Sequence, residues 1–229
     1  MTVKKPNIAI DGPAAGGKTT VAKILASRLG LVYLDTGAMY RASAFEALKS
    51  GIDIHDDAAV EKMTQAMHLD MQPDAASAAG HKIIANSEDI TSALHSPEVS
   101  EAVSVVAAIP AVRRDMVRRQ KEFAERGGVV MAGRDIGSVV LPNAELKYYL
   151  DAELKERARR RFADMQASGH NITLEEIEKQ LAERDYQDSH RADSPLCIAP
   201  GAEVIDCSKI SADEVAAIIE KDYRELTNV

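Results

Sequence analysis

Eight residues, Gly12-Pro13-Ala14-Ala15-Gly16-Gly17-Lys18-Thr19, constrain this chain more than any other stretch. They match the phosphate-binding pattern G-x-x-x-x-G-K-[ST] in full, and their flanks supply the context the pattern needs. Upstream, Asn7-Ile8-Ala9-Ile10 is a short apolar run of the kind that forms a buried parallel strand. Downstream, Val21, Ile24, Leu25 and Leu29 recur at helical spacing, and Gly30 stands where a helix C-terminal glycine belongs. A strand–loop–helix unit of this kind turns successive backbone N–H groups toward phosphate oxygens. The helix N-terminus adds partial positive charge, Lys18 reaches the outer phosphates, and the Thr19 hydroxyl can ligate magnesium. The loop, extended by Thr20, is the expected ATP site, with Mg2+ as its companion. A glycine-rich turn fitting the pattern by accident is roughly a one-per-cent event in a chain this long. Nucleotide binding is the first expectation.

Composition narrows the class. A hydrophobic content of 45% suffices for a sizeable core, and no apolar run approaches the roughly 18 residues of a membrane span. Met1-Thr2-Val3-Lys4-Lys5-Pro6 leads into the first strand without the apolar region of a signal peptide. Cys197 and Cys207 make no disulfide framework and read as reduced thiols, so a cytoplasmic protein is expected. The net charge of −8 argues against broad binding of nucleic acid through phosphate contacts. Against that acidic background, local clusters of arginine carry information.

Further apolar runs alternate with helical patterns along the chain. Leu31-Val32-Tyr33-Leu34-Asp35 reads as a second strand, delivering Thr36-Gly37-Ala38-Met39-Tyr40-Arg41 to the edge where open parallel sheets bind ligands. Helices are predicted through Leu48, over 57–66, over 96–108, and over 110–125 with Pro110 in the first turn. Residues 67–94 differ: two short runs, His68-Leu69-Asp70-Met71 and His81-Lys82-Ile83-Ile84-Ala85, flank an Ala/Ser/Gly-rich turn and suggest a small antiparallel insert. Strands return at 128–133, 146–150 and 204–206, and Ser211-Ala212-Asp213-Glu214 is a capping box opening a last helix.

Three arginine-bearing groups stand out. Arg157, Arg160 and Arg161 share one helix face at i, i+3 and i+4, which suits either a solvated basic helix or a lid closing charge over a transferring phosphoryl group. A second capping box, Thr173-Leu174-Glu175-Glu176, opens a helix whose stripe runs Ile177, Leu181, Arg184, Asp188, Arg191. That stripe starts apolar and ends charged, as a helix does when it leaves a core for a polar cleft. The plainer reading is an exposed Arg184–Asp188 ion pair worth a few tenths of a kcal/mol. Arg134-Asp135 closes the group, at the carboxyl end of a predicted strand.

Taken together, Ile10-Asp11-Gly12-Pro13 through Lys18, Leu34-Asp35 through Arg41, Gly133-Arg134-Asp135-Ile136-Gly137-Ser138-Val139-Val140, and Glu183-Arg184-Asp185 through His190-Arg191 resemble the bacterial cytidylate kinases, a branch of the nucleoside monophosphate kinases. The resemblance spans essentially the whole chain. It implies an α/β, P-loop NTPase fold: a five-stranded parallel sheet flanked by helices, with a lid and an enlarged monophosphate-binding domain. The implied core is 1–35, 109–152 and 193–229. The monophosphate-binding domain is then 36–108, and the lid with its adjoining helix 153–192. The implied substrates are CMP and dCMP with ATP as donor, handled by a monomer. By the same resemblance, Thr36, Arg41, Arg134 and Arg191 hold the monophosphate. Ser104, Arg113 and Asp135 read the cytosine edge, and Arg184 with Asp188 holds the ribose. Thr36 stands where some members of the family have serine, and both present a hydroxyl.

A kinase for a small hydroxylated metabolite is the main rival, with Asp35 recruited toward the hydroxyl, but the arginines suit a phosphate acceptor better. A guanine-nucleotide switch ranks last, because neither Asn-Lys-x-Asp nor its companion Asp-x-x-Gly occurs. Asp11, Asp35 and Asp135 all remain open as a second magnesium partner.

Overall fold

The alternation of apolar runs and amphipathic stretches becomes an alternation of strands and helices. The computed structural model describes residues 4–74, 81–167, 169 and 171–228. In chain order the elements are β1 (Ile8–Asp11), α1 (Lys18–Leu29), β2 (Val32–Asp35), α2 (Thr36–Lys49), α3 (Asp57–Ala66), β3 (Leu69–Pro73), β4 (His81–Ala85) and β5 (Glu88–Asp89). There follow α4 (Pro97–Val106), α5 (Pro110–Ala124), β6 (Val129–Ala132), a π-helical turn (Ile136–Val140), β7 (Leu146–Asp151), α6 (Leu154–Ala167), α7 (Leu174–His190), β8 (Glu203–Asp206) and α8 (Ala212–Thr227). Two units result. The first joins the chain up to Leu34 with the chain from Arg126 onward, and the second is Asp35–Glu125.

In the first unit the five-stranded sheet has the order β2-β6-β1-β7-β8. β1 lies at its centre, parallel to β6 (Ile8 opposite Val130, Ile10 opposite Ala132) and to β7 (Ile8 opposite Leu146, Asp11 opposite Tyr149). A strand paired on both edges and covered on both faces has no solvent side, so all four of its residues are buried and its sequence does not alternate. Ile8, Ile10, Tyr148, Leu150 and Ile205 of the sheet pack with Val21 and Leu25 of α1 and Val215 and Ile219 of α8. Gly30 caps α1 in the left-handed conformation, and both capping boxes, at Thr173–Glu176 and Ser211–Glu214, are formed. This is the P-loop NTPase fold, as the sequence leads one to expect. No helix among the described residues is long and apolar enough to cross a membrane.

The second unit opens without a loop. The Asp35 carboxylate accepts from the Ala38 N–H, so α2 starts directly at Thr36. Its small sheet, β3-β4-β5, is antiparallel, with Leu69 opposite Ala85 and Ile84 opposite Asp89. The Ala/Ser/Gly-rich turn expected between the first two of these strands lies outside the described residues. The unit also runs further than the boundary at 108 read from the sequence. α5 belongs to it, because the buried side chains of Val112 and Met116 leave the helix on one face and Arg119 donates to the Thr64 and Met67 carbonyls at the end of α3.

Candidate active site

Gly12 carries the chain out of β1 with φ 145°, and a Cβ there would lie 2.1 Å from the Leu150 carbonyl oxygen. Only glycine fits so close an approach, and it lets the loop curl back over the sheet. Gly17, at φ 87°, then sets Lys18 in the first turn of α1. Lys18 is 7% exposed, and its ammonium donates to the Gly12 carbonyl at 2.8 Å and to the Pro13 carbonyl at 2.6 Å. Burial, and after it the charge of Arg134, pulls that ammonium well below the ordinary lysine range. The Asp11 and Asp188 carboxylates offset this only in part, and a phosphate brought into the loop would add counter-charge to the ammonium. Thr19 and Thr20 are exposed beside it, and Thr19 makes no side-chain hydrogen bond among the described residues. A hydroxyl in that position fits a magnesium ion that keeps most of its waters.

The carboxyl end of β6 is tied to the loop by Asp11. Its Oδ1 accepts from the Ile136 N–H and its Oδ2 from the Gly137 N–H, both at 2.7 Å, which anchors the π-helical turn. With both oxygens committed to backbone, Asp11 is the poorest fit of the three aspartates left open as metal partners. Burial pushes the Asp11 carboxyl up to about 6, against the pull of the two amides and of Lys18. The folded protein therefore holds a proton, between an unfolded value of 3.8 and about 6, that the unfolded chain has released. Stability contributed by this group falls as pH rises through that window, by up to roughly 3 kcal/mol. Denaturation of the protein and of Asp11→Asn between pH 4.5 and 7.5 should show the variant gaining on the parent as pH rises. Parallel curves would mean that Asp11 does not titrate there.

Arg134 and Asp135 follow β6 and meet the charged end of the α7 stripe. Arg134 Nε donates to Asp188 Oδ2 at 2.7 Å, and Arg191 lies 3.7 Å from both Asp188 and the 5% exposed Asp135. Burial opposes the charge on Asp188, but Arg134, Arg184 and Arg191 outweigh it and hold the carboxyl below its usual range. The stripe does pass from buried Ile177 and Leu181 into this cluster. Asp188 is therefore no exposed partner of Arg184 alone.

The three arginines that spacing puts on one face of α6 diverge. Arg157 turns inward, bonded to the Ala152 and Ala14 carbonyls and to Asp185 at 2.6 Å. Arg160 lies over the loop mouth, its Nη1 4.0 Å from where a Cβ on Gly17 would be, and donates to the Cys207 carbonyl and Glu156. Arg161 is exposed. Spacing put them on one face; packing separates them by depth.

In the second unit Thr36 is buried at the start of α2, and Arg41 donates to the Leu94 carbonyl and Ser100 Oγ. Arg113 is 1% exposed, lies 5.3 Å from the Tyr40 ring centroid and donates to the Ala107 carbonyl. Ser104 is half-buried on α4, one turn beyond Ser100. Sequence reasoning passed over Ser100 and quoted Asp185 only within the Glu183-Arg184-Asp185 motif, with no role of its own, although the i, i+4 serines of α4 were visible.

A family model described as cytidylate kinase matches residues 8–225. A cytidylate kinase of Geobacillus thermodenitrificans is 49% identical over 218 residues, 95% of this chain and 96% of its own length. One from Ligilactobacillus salivarius is 47% identical over 213 residues, 93% and 94% of the two chains. Among solved structures, a protein of Eubacterium ventriosum superposes with a TM-score of 0.50 at 10% identity, covering 96% of this chain and 98% of its own, which speaks to the fold alone.

Proposed function

The chain belongs to the cytidylate kinase family, and from that premise we propose that it transfers the γ-phosphoryl group of ATP to CMP and dCMP. A phosphate oxygen of the acceptor attacks the γ-phosphorus in line, the bond to the β–γ bridging oxygen breaks, and ADP leaves with CDP or dCDP. The attacking oxygen is already largely anionic at neutral pH, since a phosphate monoester loses its second proton near pH 6. No general base is needed; positioning and charge neutralisation suffice. The buried Lys18 ammonium, held on two carbonyls inside the loop, carries this reading. Lys18 takes the outer phosphates of ATP, and Arg160 faces the same loop. Magnesium, bound through the Thr19 hydroxyl, would neutralise charge on the β- and γ-phosphates.

Arg134 and Arg191 are assigned to the acceptor's phosphate, Asp135 to the base, and Arg184 with Asp188 to the sugar. In the second unit, Thr36 and Arg41 are assigned to the acceptor's phosphate as hydrogen-bond donors, and Ser104 and Arg113 to the base. Free thiols at Cys197 and Cys207 suit a reducing cytoplasm.

The test is ADP release with ATP–magnesium against CMP, dCMP, UMP, AMP, GMP and shikimate. CMP and dCMP should lead. Preference for shikimate would replace this reading with that of a small-metabolite kinase. Within the reading, Asp188→Ala should lower kcat/KM for CMP about tenfold or more, and also lower the melting temperature, since Arg134 and Arg191 lose a part-buried counter-charge. A lower melting temperature with unchanged kinetics would make the Arg134–Asp188 pair structural.

A further inference from the structure

The α6–α7 pair grips a single residue of the phosphate loop on three sides. The Ala14 methyl is buried in a small apolar cluster with Ala158, Ile177 and Leu181. Its N–H donates to Asp185 Oδ1 at 3.2 Å, and its carbonyl accepts from Arg157 Nη1 at 3.1 Å. The same Nη1 lies 2.6 Å from Asp185 Oδ2, and Arg157 Nε is held by the Ala152 carbonyl just past β7. The salt bridge and the backbone thus form one closed set of bonds. Both peptide planes flanking Ala14 are fixed by it. The next residue, Ala15, has φ 57°, a left-handed conformation that a side chain disfavours and that surrounding contacts must hold.

We propose that Asp185 is a positioning residue for the donor nucleotide. With Arg157 it sets the peptide planes at Ala14, and through Ala15 it aims the N–H groups that follow at the phosphates. Arg157 then acts through the loop rather than on the phosphoryl group. The inference rests on the reading above only in taking this loop as the ATP site. It assigns to Asp185 a role separate from that of the sugar groups, Arg184 and Asp188, on the same helix.

ADP–magnesium titrated calorimetrically into the whole protein tests it without any acceptor present. Asp185→Asn should weaken ADP binding about tenfold and lower the melting temperature, since Arg157 keeps its charge in a buried place. The double variant Asp185→Leu with Arg157→Met removes both charges together, and apolar replacement of a buried pair restores stability. It should melt near the parent and still bind ADP about tenfold more weakly, with KM for ATP raised and KM for CMP unchanged. A folded double variant with parental ADP affinity overturns the proposal. In the unaltered protein without nucleotide, the Ala14 amide should exchange slowly with solvent; rapid exchange overturns it as well, whatever the variants do. A parent that binds ADP tightly but phosphorylates no monophosphate would strike the proposed activity and leave this inference standing.

Discussion

Replacing Lys18 with methionine is expected to cut turnover by about a hundred- to a thousandfold and to leave the protein folded. Two separate arguments meet in that result. The catalytic one is electrostatic. A phosphoryl group in transfer spreads charge over its oxygens, and a fixed cation in a water-poor loop stabilises it far more than one in water. Loss of one such donor costs about a hundred- to a thousandfold, and Lys18 is the deepest cation of the loop. The stability argument runs the other way. The ammonium is buried, its charge is disfavoured there by burial and by Arg134, and its hydrogen bonds go to two carbonyls of its own loop. Methionine fills the same length without a charge to desolvate, so the loss of those bonds is offset to within about 1 kcal/mol. Turnover by ADP release and a thermal melt on the same sample check both halves. Near-normal turnover in a folded variant would remove Lys18, and with it the loop, from the reaction.

What could be read from the sequence was local. Strand, loop and helix at 7–30 follow from contiguous residues, and so do the two capping boxes and Pro110 at the first turn of α5. The α7 stripe was legible for the same reason, because helical periodicity alone sorts Ile177 and Leu181 from Arg184, Asp188 and Arg191. The missing parts all depend on partners far along the chain. Asp11 is spent on amides 125 and 126 residues away, and Asp185 on an amide 171 residues away. No spacing rule connects such positions. Arg157 shows the limit most plainly: helix geometry puts it beside Arg160 and Arg161, yet only the packing of α6 on the loop buries it. The end of the second unit was missed similarly, since α5 joins it by a face whose partner, α3, lies some fifty residues earlier.

Asp135→Asn should narrow the preference for CMP over UMP by ten- to a hundredfold, roughly 1–3 kcal/mol. Cytosine presents an amino donor at position 4 and an acceptor at N3, and uracil reverses both. A carboxylate only accepts, so it suits the cytosine amino group and repels the uracil carbonyl; an asparagine offers both an acceptor and a donor. Asp135 is nearly fully buried, where a mismatched polar group finds no water to satisfy it, and that raises the cost of the wrong base. The substitution has a second consequence, because Arg191 lies 3.7 Å from this carboxylate and loses a counter-charge. Arg191 is assigned to the phosphate, which CMP and UMP share, so its disturbance lowers both activities by a common factor. The ratio of the two kcat/KM values cancels that factor and isolates the contribution of the base. CMP should lose more than the common factor, and UMP should lose less or gain. If both fall by the same factor, the ratio stays fixed; Asp135 then serves Arg191 or a metal ion, and some other group reads the base.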